Sequence, residues 1–180
     1  MRLRAATPED VPAIQAIYRH HVLTGLGTFE EVPPTQAEMA LRIAAVIERG
    51  LPWLVADEGD VVGYAYAGPF RTRAAYRFTV EDSVYVAETA RGKGVGKALL
   101  EAIVGECQAM GLRQMVGVIG DSGNAASIAL HRALGFETTA IVPAVGWKFE
   151  RWVDVVWMQR ALGPGAEVPP EGPGIGGMGP

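Results

Sequence analysis

The chain has 180 residues, 49% of them hydrophobic and 20% charged, with a formal net charge of −4 at pH 7. That length sustains one sizeable core and is short for two. With no Lys/Arg run outside positions 91–97, the acidic balance excludes a nucleic-acid platform and points to small-molecule partners.

Residues 3–5 alternate as a short strand. Thr7-Pro8-Glu9-Asp10 then has the parts of a helix start: a capping hydroxyl, a proline at the first helical position and acids in the first turn. Val11, Ile14, Ile17 and Tyr18 continue at helical spacing, followed by His20 and His21, which have no partner in the sequence and are expected to be structural or surface groups. Gly25 and Gly27 open a loop that closes at Pro33-Pro34. Thr35-Gln36-Ala37-Glu38 is a capping box, so a second helix is predicted up to about residue 49, stopped by Gly50. Segments 53–57 and 61–67, on either side of Glu58-Gly59-Asp60, read as an antiparallel hairpin ended by Gly68-Pro69.

After a loop at 70–76, a longer strand is predicted over 78–86, leading into Arg91-Gly92-Lys93-Gly94-Val95-Gly96. The helix beyond it carries Leu99, Leu100, Ile103, Val104 and Cys107 on its apolar side, with Gly111 as its cap. A strand at 115–119, a helix at 124–134 ended by Gly135, and strands near 137–142 and 152–159 complete the order. The class is mixed α/β. Residues 163–180 contain seven glycines and five prolines, so a disordered tail is expected outside a single domain at 1–162.

Cys107 is the single cysteine, excludes an internal disulfide and reads as a core thiol. No charged-then-apolar leader is seen and no apolar run approaches 18 residues, so no membrane role and a cytoplasmic location are expected. The three histidines lack metal-site spacing, and no metal is expected.

Three glycines at alternate positions let the backbone of 92–96 come close to an anion, and the amides there, with the start of the following helix, offer free donors. Arg91, Lys93 and Lys97 add full charges. The pattern alone proves little, since 23 glycines make Gly-x-Gly-x-Gly expected about 0.4 times by chance. A Walker loop fails at Arg91 and Ala98, and a dinucleotide fingerprint fails at Lys97.

The element order, the strand-loop-helix around this loop, and the later Asn124-Ala125-Ala126-Ser127 and Leu134-Gly135-Phe136 together resemble the Gcn5-related N-acetyltransferases over residues 1–160. The loop matches that family's Gln/Arg-x-x-Gly-x-Gly/Ala signature. Thr79-Val80-Glu81-Asp82-Ser83-Val84-Tyr85-Val86, the histidine inside 124–136, and Gly146-Trp147-Lys148-Phe149-Glu150-Arg151-Trp152 resemble the phosphinothricin and methionine-sulfone/sulfoximine acetyltransferase branch. The resemblance implies a central mixed sheet of about seven strands flanked by four helices. It also implies acetyl-CoA as donor, a small amino-acid-like amine as acceptor, a homodimer, and a link to antibiotic or herbicide resistance. Glu150 departs from the branch, which has glycine there.

On the resemblance, the 92–96 amides take the pyrophosphate, flanked by Arg91 and Lys97. Ser83, Val84, Tyr85 and Val86 line the pantetheine arm, and Asn124 and Ser127 contact it. Asn124 can equally cap its own helix. An ammonium is no nucleophile, so a base is required, and departure of the thiolate calls for an acid. Glu81 on the strand before the loop, and His131 where many family members place a tyrosine, are expected as a proton-handling pair with roles undivided. A solvated carboxylate and a structural histidine are the alternatives. On a regular strand Glu81, Ser83 and Tyr85 share one face and Val80, Asp82, Val84 and Val86 the other; a β-bulge, common in the family, changes that register.

Substrate contacts are expected from Phe70, Arg71, Thr72 and Arg73, where a guanidinium can grip a carboxylate or phosphinate, and from Val80, Glu81 and Asp82. Trp147 and Trp152 read as core aromatics or ligand contacts. Acetylation of a protein N-terminus or lysine, and a non-catalytic acyl-CoA sensor, are the rival functions. The latter sits poorly with both Glu81 and His131 present.

Overall fold

The computed structural model describes residues 1–176. Strand β1 (Arg2–Ala5) is followed by a 3-10 turn and helices α1 (Val11–Thr24) and α2 (Gln36–Glu48). Strands β2 (Trp53–Asp57), β3 (Val61–Pro69) and β4 (Thr79–Val86) lead to α3 (Val95–Ala109). β5 (Gln114–Gly120), α4 (Ala125–Ala133), β6 (Glu137–Lys148) and β7 (Arg151–Ala161) complete one seven-stranded sheet in the order β1-β2-β3-β4-β5-β7-β6. The expected mixed α/β class and four helices are present.

Local chemistry explains several boundaries. The Thr35 hydroxyl accepts the Glu38 N–H at 3.2 Å while the Glu38 carboxylate takes the Thr35 N–H at 2.7 Å, closing the capping box at the start of α2. At the first helix the Asp10 carboxylate reaches back to the Thr7 N–H at 2.8 Å and receives both terminal nitrogens of Arg4, at 2.7 and 2.8 Å, which ties β1 to α1.

All pairs from β1 to β4 are antiparallel, and α3 makes the crossover that β4 needs to run parallel to β5. The β4–β5 pair is short: it spans Thr79↔Gln114 to Asp82↔Gly117, and residues 83–86 of β4 have no β5 partner. The sheet therefore forks after Asp82. Its β3 edge stays in register throughout, from Pro69↔Val80 to Gly63↔Val86, so the bulge common in the family is absent from this pair.

β6 is longer than expected because the alternation resumes after a register shift between Val142 and Gly146, where Ala144 has φ 51°. A two-residue turn, Phe149 and Glu150 at φ 50° and 58°, joins it to β7. Glu150 thus occupies the left-handed conformation that glycine takes most easily.

The core is built from α1 and α2 on one face and α3 on the other, with Cys107 wholly buried and its thiol pushed up to about 12 by burial. Residues 163–176 differ from the disordered tail expected over 163–180. The Arg113 guanidinium donates to the carbonyls of Gly165, Val168 and Pro169, and Ile175 is buried with its N–H on the Arg77 carbonyl at 2.7 Å. Composition weighs apolar content alone and overlooks such polar anchors. The rest of that segment, 177–180, lies outside the described residues.

Candidate active site

The loop after β4 is shaped as an anion cradle. Gly92 and Gly94 have φ 73° and 82°, conformations that favour glycine, and among the described residues neither has an atom within 4 Å of where a Cβ would sit. The first backbone bond of α3 runs from Ala98 N–H to Gly94 O, so the amides of Val95, Gly96 and Lys97 have no acceptor within the helix. Arg91, Lys93 and Lys97 are exposed around them. Val95 sends its side chain into the core, leaving only its backbone to the loop.

The fork supplies a slot next to this cradle. Ala87 N–H bonds Val62 O, and alternation along the antiparallel pair then assigns the polar groups of Ser83 and Tyr85 to β3, while those of Val84 and Val86 point away, into the gap left by β5. Of the four residues expected along the arm, only Val84 and Val86 present backbone there. The Tyr85 ring packs on the other face against Tyr18 and His21, with centroids 5.0 and 5.3 Å away. His21 donates Nε2–H to Val86 O at 3.0 Å, and burial holds it below the usual histidine range, neutral. A Cβ on Gly96 would lie 3.5 Å from Val86, so α3 lines the slot closely.

Glu81 lies on the α1/α2 face, partly buried, with Arg71 Nη1 at 4.0 Å from its carboxylate. Burial pushes its pKa up; Arg71 pulls down and Asp82 adds to the rise, and the balance is upward. Arg71 is held over the Phe70 ring at 4.2 Å and near the Trp157 ring at 5.6 Å, while Phe70 and Trp157 meet edge to face at 5.8 Å. Register puts Trp157 opposite Val118, one row beyond the Glu81–Val116–Gln159 row, so it floors the same cleft. Trp157 was not a sequence candidate. Its signal, an aromatic alternating with core positions in β7, does not say which face meets the cleft.

Other expectations need correction. Glu81 and His131 do not bond each other: adjacent β4 positions face opposite ways, and His131, on α4, bonds Asp82 at 3.1 Å. Asp82 is buried on that face and Val80 is wholly buried in the core, so neither side chain reaches the Arg71 cleft. Thr72 and Arg73 are exposed, and Arg73 precedes a 3-10 turn rather than facing Glu81. Asn124 takes the capping role that was open to it, accepting the Ser127 N–H at 3.2 Å, a bond that uses only its Oδ1. Trp147 and Trp152 are 54% and 63% exposed, so they are not core aromatics.

Sequence reading also missed the role of Lys148. Its buried Nζ donates to the carbonyls of Gly25 and Thr28 at 2.9 and 2.8 Å, pinning the loop between α1 and α2 onto the β6–β7 hairpin. Phe29 of that loop packs on Gly146, where a Cβ would come within 2.3 Å of its ring.

A parallel pair that forks beside a glycine-lined cradle, with a carboxylate and an arginine at its mouth, defines a transferase whose donor carries a pyrophosphate and an extended arm. Residues 3–157 match the acetyltransferase (GNAT) domain, and the chain belongs to the GNAT acetyltransferase family. It is 51% identical to a phosphinothricin N-acetyltransferase of Alcaligenes faecalis over 94% of this chain and 86% of that one. It is 44% identical to an L-methionine sulfoximine/L-methionine sulfone acetyltransferase of Pseudomonas paraeruginosa over 93% and 98%. The crystal structure of a Sinorhizobium meliloti phosphinothricin acetyltransferase in complex with AcCoA superposes with a TM-score of 0.92 at 50% identity, covering 98% of this chain and 95% of that one. No helix among the described residues is long and apolar enough to cross a membrane.

Proposed function

We propose that this acetyltransferase moves the acetyl group of acetyl-CoA to the α-amine of a small amino acid analogue of the phosphinothricin, methionine sulfone or methionine sulfoximine type. The observation that carries the reading is Glu81 beside Arg71 on one wall of the fork. An α-amino acid presents an ammonium next to a carboxylate, and these two groups complement both of its charges. The names of the relatives at 51% and 44% identity support the same acceptor class.

Acetyl-CoA supplies an activated acetyl group as a thioester, and the chain has groups suited to hold it. The Val95 to Lys97 amides with Lys93 and Arg91 suit the pyrophosphate, and the Val84 and Val86 backbone suits an arm lying as an added strand. The cradle follows β4 through one 3-10 turn, Glu88–Ala90, so an arm running back along the strand ends near Asp82. Glu81 takes the proton that the ammonium must lose, and its raised pKa matches it to that task. Arg71 grips the carboxylate or phosphinate while Phe70 and Trp157 hold its guanidinium against their rings. A β4 backbone N–H serves the carbonyl oxygen as negative charge develops.

The enzyme is proposed as a homodimer, because edge strand β6 and its hairpin expose Ile141, Val145, Trp147, Phe149 and Trp152, each at least half exposed. A cytoplasmic location accords with a lone, buried thiol. Acetylation blocks the amine of such analogues, so resistance to them follows from the same chemistry.

The test is release of free thiol from acetyl-CoA across a panel of amino acids. Phosphinothricin or a methionine sulfone or sulfoximine should stimulate it, and Glu81→Gln should lower kcat by about 10²-fold or more with acetyl-CoA affinity kept. No stimulation by any panel member would refute the acceptor class.

A further inference from the structure

Asp82 and Gly117 are the last partners before β4 and β5 part, and His131 lies at that crotch, 4% exposed. Its Nδ1 is 2.7 Å from the Ser127 carbonyl and its Nε2 is 3.1 Å from Asp82 Oδ2. A carbonyl and a carboxylate only accept, so these partners assign a hydrogen to both ring nitrogens and make the ring an imidazolium. Burial opposes that charge; Asp82 and the Ser127 carbonyl outweigh it, and the basicity of His131 rises.

The geometry is specific to a ring in this place. A Cβ on Gly117 would lie 2.8 Å from His131 Cδ2, so only glycine lets the imidazole cross β5 to reach β4. The Phe136 ring closes the far side, edge to face at 5.0 Å. Among the described residues no other charged side chain is bonded to the ring: β5 brings glycine, and α3 brings Cys107, a thiol that burial keeps neutral. Glu81, next along β4, points to the opposite face. Asp82 itself is 7% exposed, and its second oxygen, Oδ1, is buried without a hydrogen-bond partner among the described residues. A bridge serving stability alone gains by satisfying both oxygens, and a half-satisfied buried carboxylate costs stability.

We infer that Asp82 is a positioning residue for acetyl transfer, holding His131 at the fork as a doubly protonated ring from which the departing sulfur takes its proton. This rests on the acetyltransferase reading of the fork. As the C–N bond forms and the C–S bond breaks, its electron pair leaves on sulfur. Glu81 takes the proton that the ammonium loses and passes it to water, then takes the second proton that nitrogen sheds as the amide forms, on one face of β4, and His131 gives its Nε2 proton to sulfur on the other. Exchange with water returns Glu81 to carboxylate and His131 to imidazolium. The two roles are thus divided by the strand between them.

The experiment follows the His131 ring nitrogens by NMR across pH in uniformly ¹⁵N-labelled protein, assigned by loss of the signals in His131→Gln, alongside pH profiles of kcat. Both nitrogens should be protonated at pH 7 in the unmodified enzyme. In Asp82→Asn the ring pKa should fall by at least about one pH unit, and the alkaline limb of kcat should move down with it, while KM for acetyl-CoA stays within about twofold. Asp82→Ser serves if the asparagine variant folds poorly. A neutral ring at pH 7 in the unmodified enzyme overturns the proposal, and so does an alkaline limb that stays in place while the ring pKa falls. The ring titration needs no turnover, so failure of the acceptor panel and failure of this proposal are told apart.

Discussion

Glu81 has to be ionised to accept a proton, and its surroundings disagree about that. Burial raises its pKa, Arg71 lowers it and the neighbouring Asp82 raises it, so the acid limb of kcat/KM should lie above the ordinary carboxylate range of about 4–4.5. Arg71 is the sole influence pulling down. Arg71→Ala should therefore shift the acid limb to still higher pH and raise KM for the amino acid, leaving KM for acetyl-CoA little changed. Arg71→Lys keeps a positive charge without the planar fork, so it should restore more of the limb than of the KM. Profiles over about pH 4.5–8 read both effects, and a limb that stays put or moves down in the alanine variant would remove Arg71 from the electrostatics of the base.

At the scale of elements, Lys148 is where a hairpin and a loop depend on one side chain. Its amine satisfies two carbonyls, Gly25 O and Thr28 O, while burial lowers its pKa. Lys148→Met keeps volume and removes both bonds, so stability should fall by about 2–3 kcal/mol, since buried acceptors left unpaired cost more than a bond contributes. For a chain of this size that is a drop of about 4–12 °C in the calorimetric midpoint. An unchanged midpoint would show the latch to be dispensable. The same residue shows what a sequence can reveal. The α2 cap, the β2–β3 hairpin and the glycine cradle are readable because their determinants lie within a few residues of each other. Lys148 meets its partners 120 or more positions away, Trp157 reaches Arg71 across β4 and β5, and His131 finds Asp82 only because the sheet brings α4 over β4. Sequence alternation correctly put Glu81 and Asp82 on opposite faces. It had no means of telling which of those faces His131 would join.

For the whole molecule, the strand order leaves β1 and β6 as edges, and they are not alike. β1 has four residues, whereas β6 has twelve, nearly all of them exposed. A long edge with apolar side chains invites pairing with another chain unless it is protected. Protection is partial: the irregularity at 143–145, fixed by Ala144 N–H on the Asp154 carboxylate at 2.9 Å, bends the edge midway. Beyond it, Trp147 and Trp152 face each other in register and meet at 5.2 Å, forming an exposed aromatic pair on the hairpin whose Lys148 holds the α1–α2 loop. Burial of this patch in a two-fold dimer would therefore also brace the α1–α2 loop, which belongs to the sheet face that carries Glu81, so assembly and amino-acid binding should be coupled. Trp152→Glu puts a charge in the patch without touching Glu81, Arg71 or the cradle. Sedimentation should show the unmodified protein as a dimer and the variant shifted toward monomer, with KM for the amino acid raised and KM for acetyl-CoA little affected. A dimer that survives Trp152→Glu unchanged would move the interface elsewhere, and a monomer with an unaltered amino-acid KM would uncouple the hairpin from the cleft.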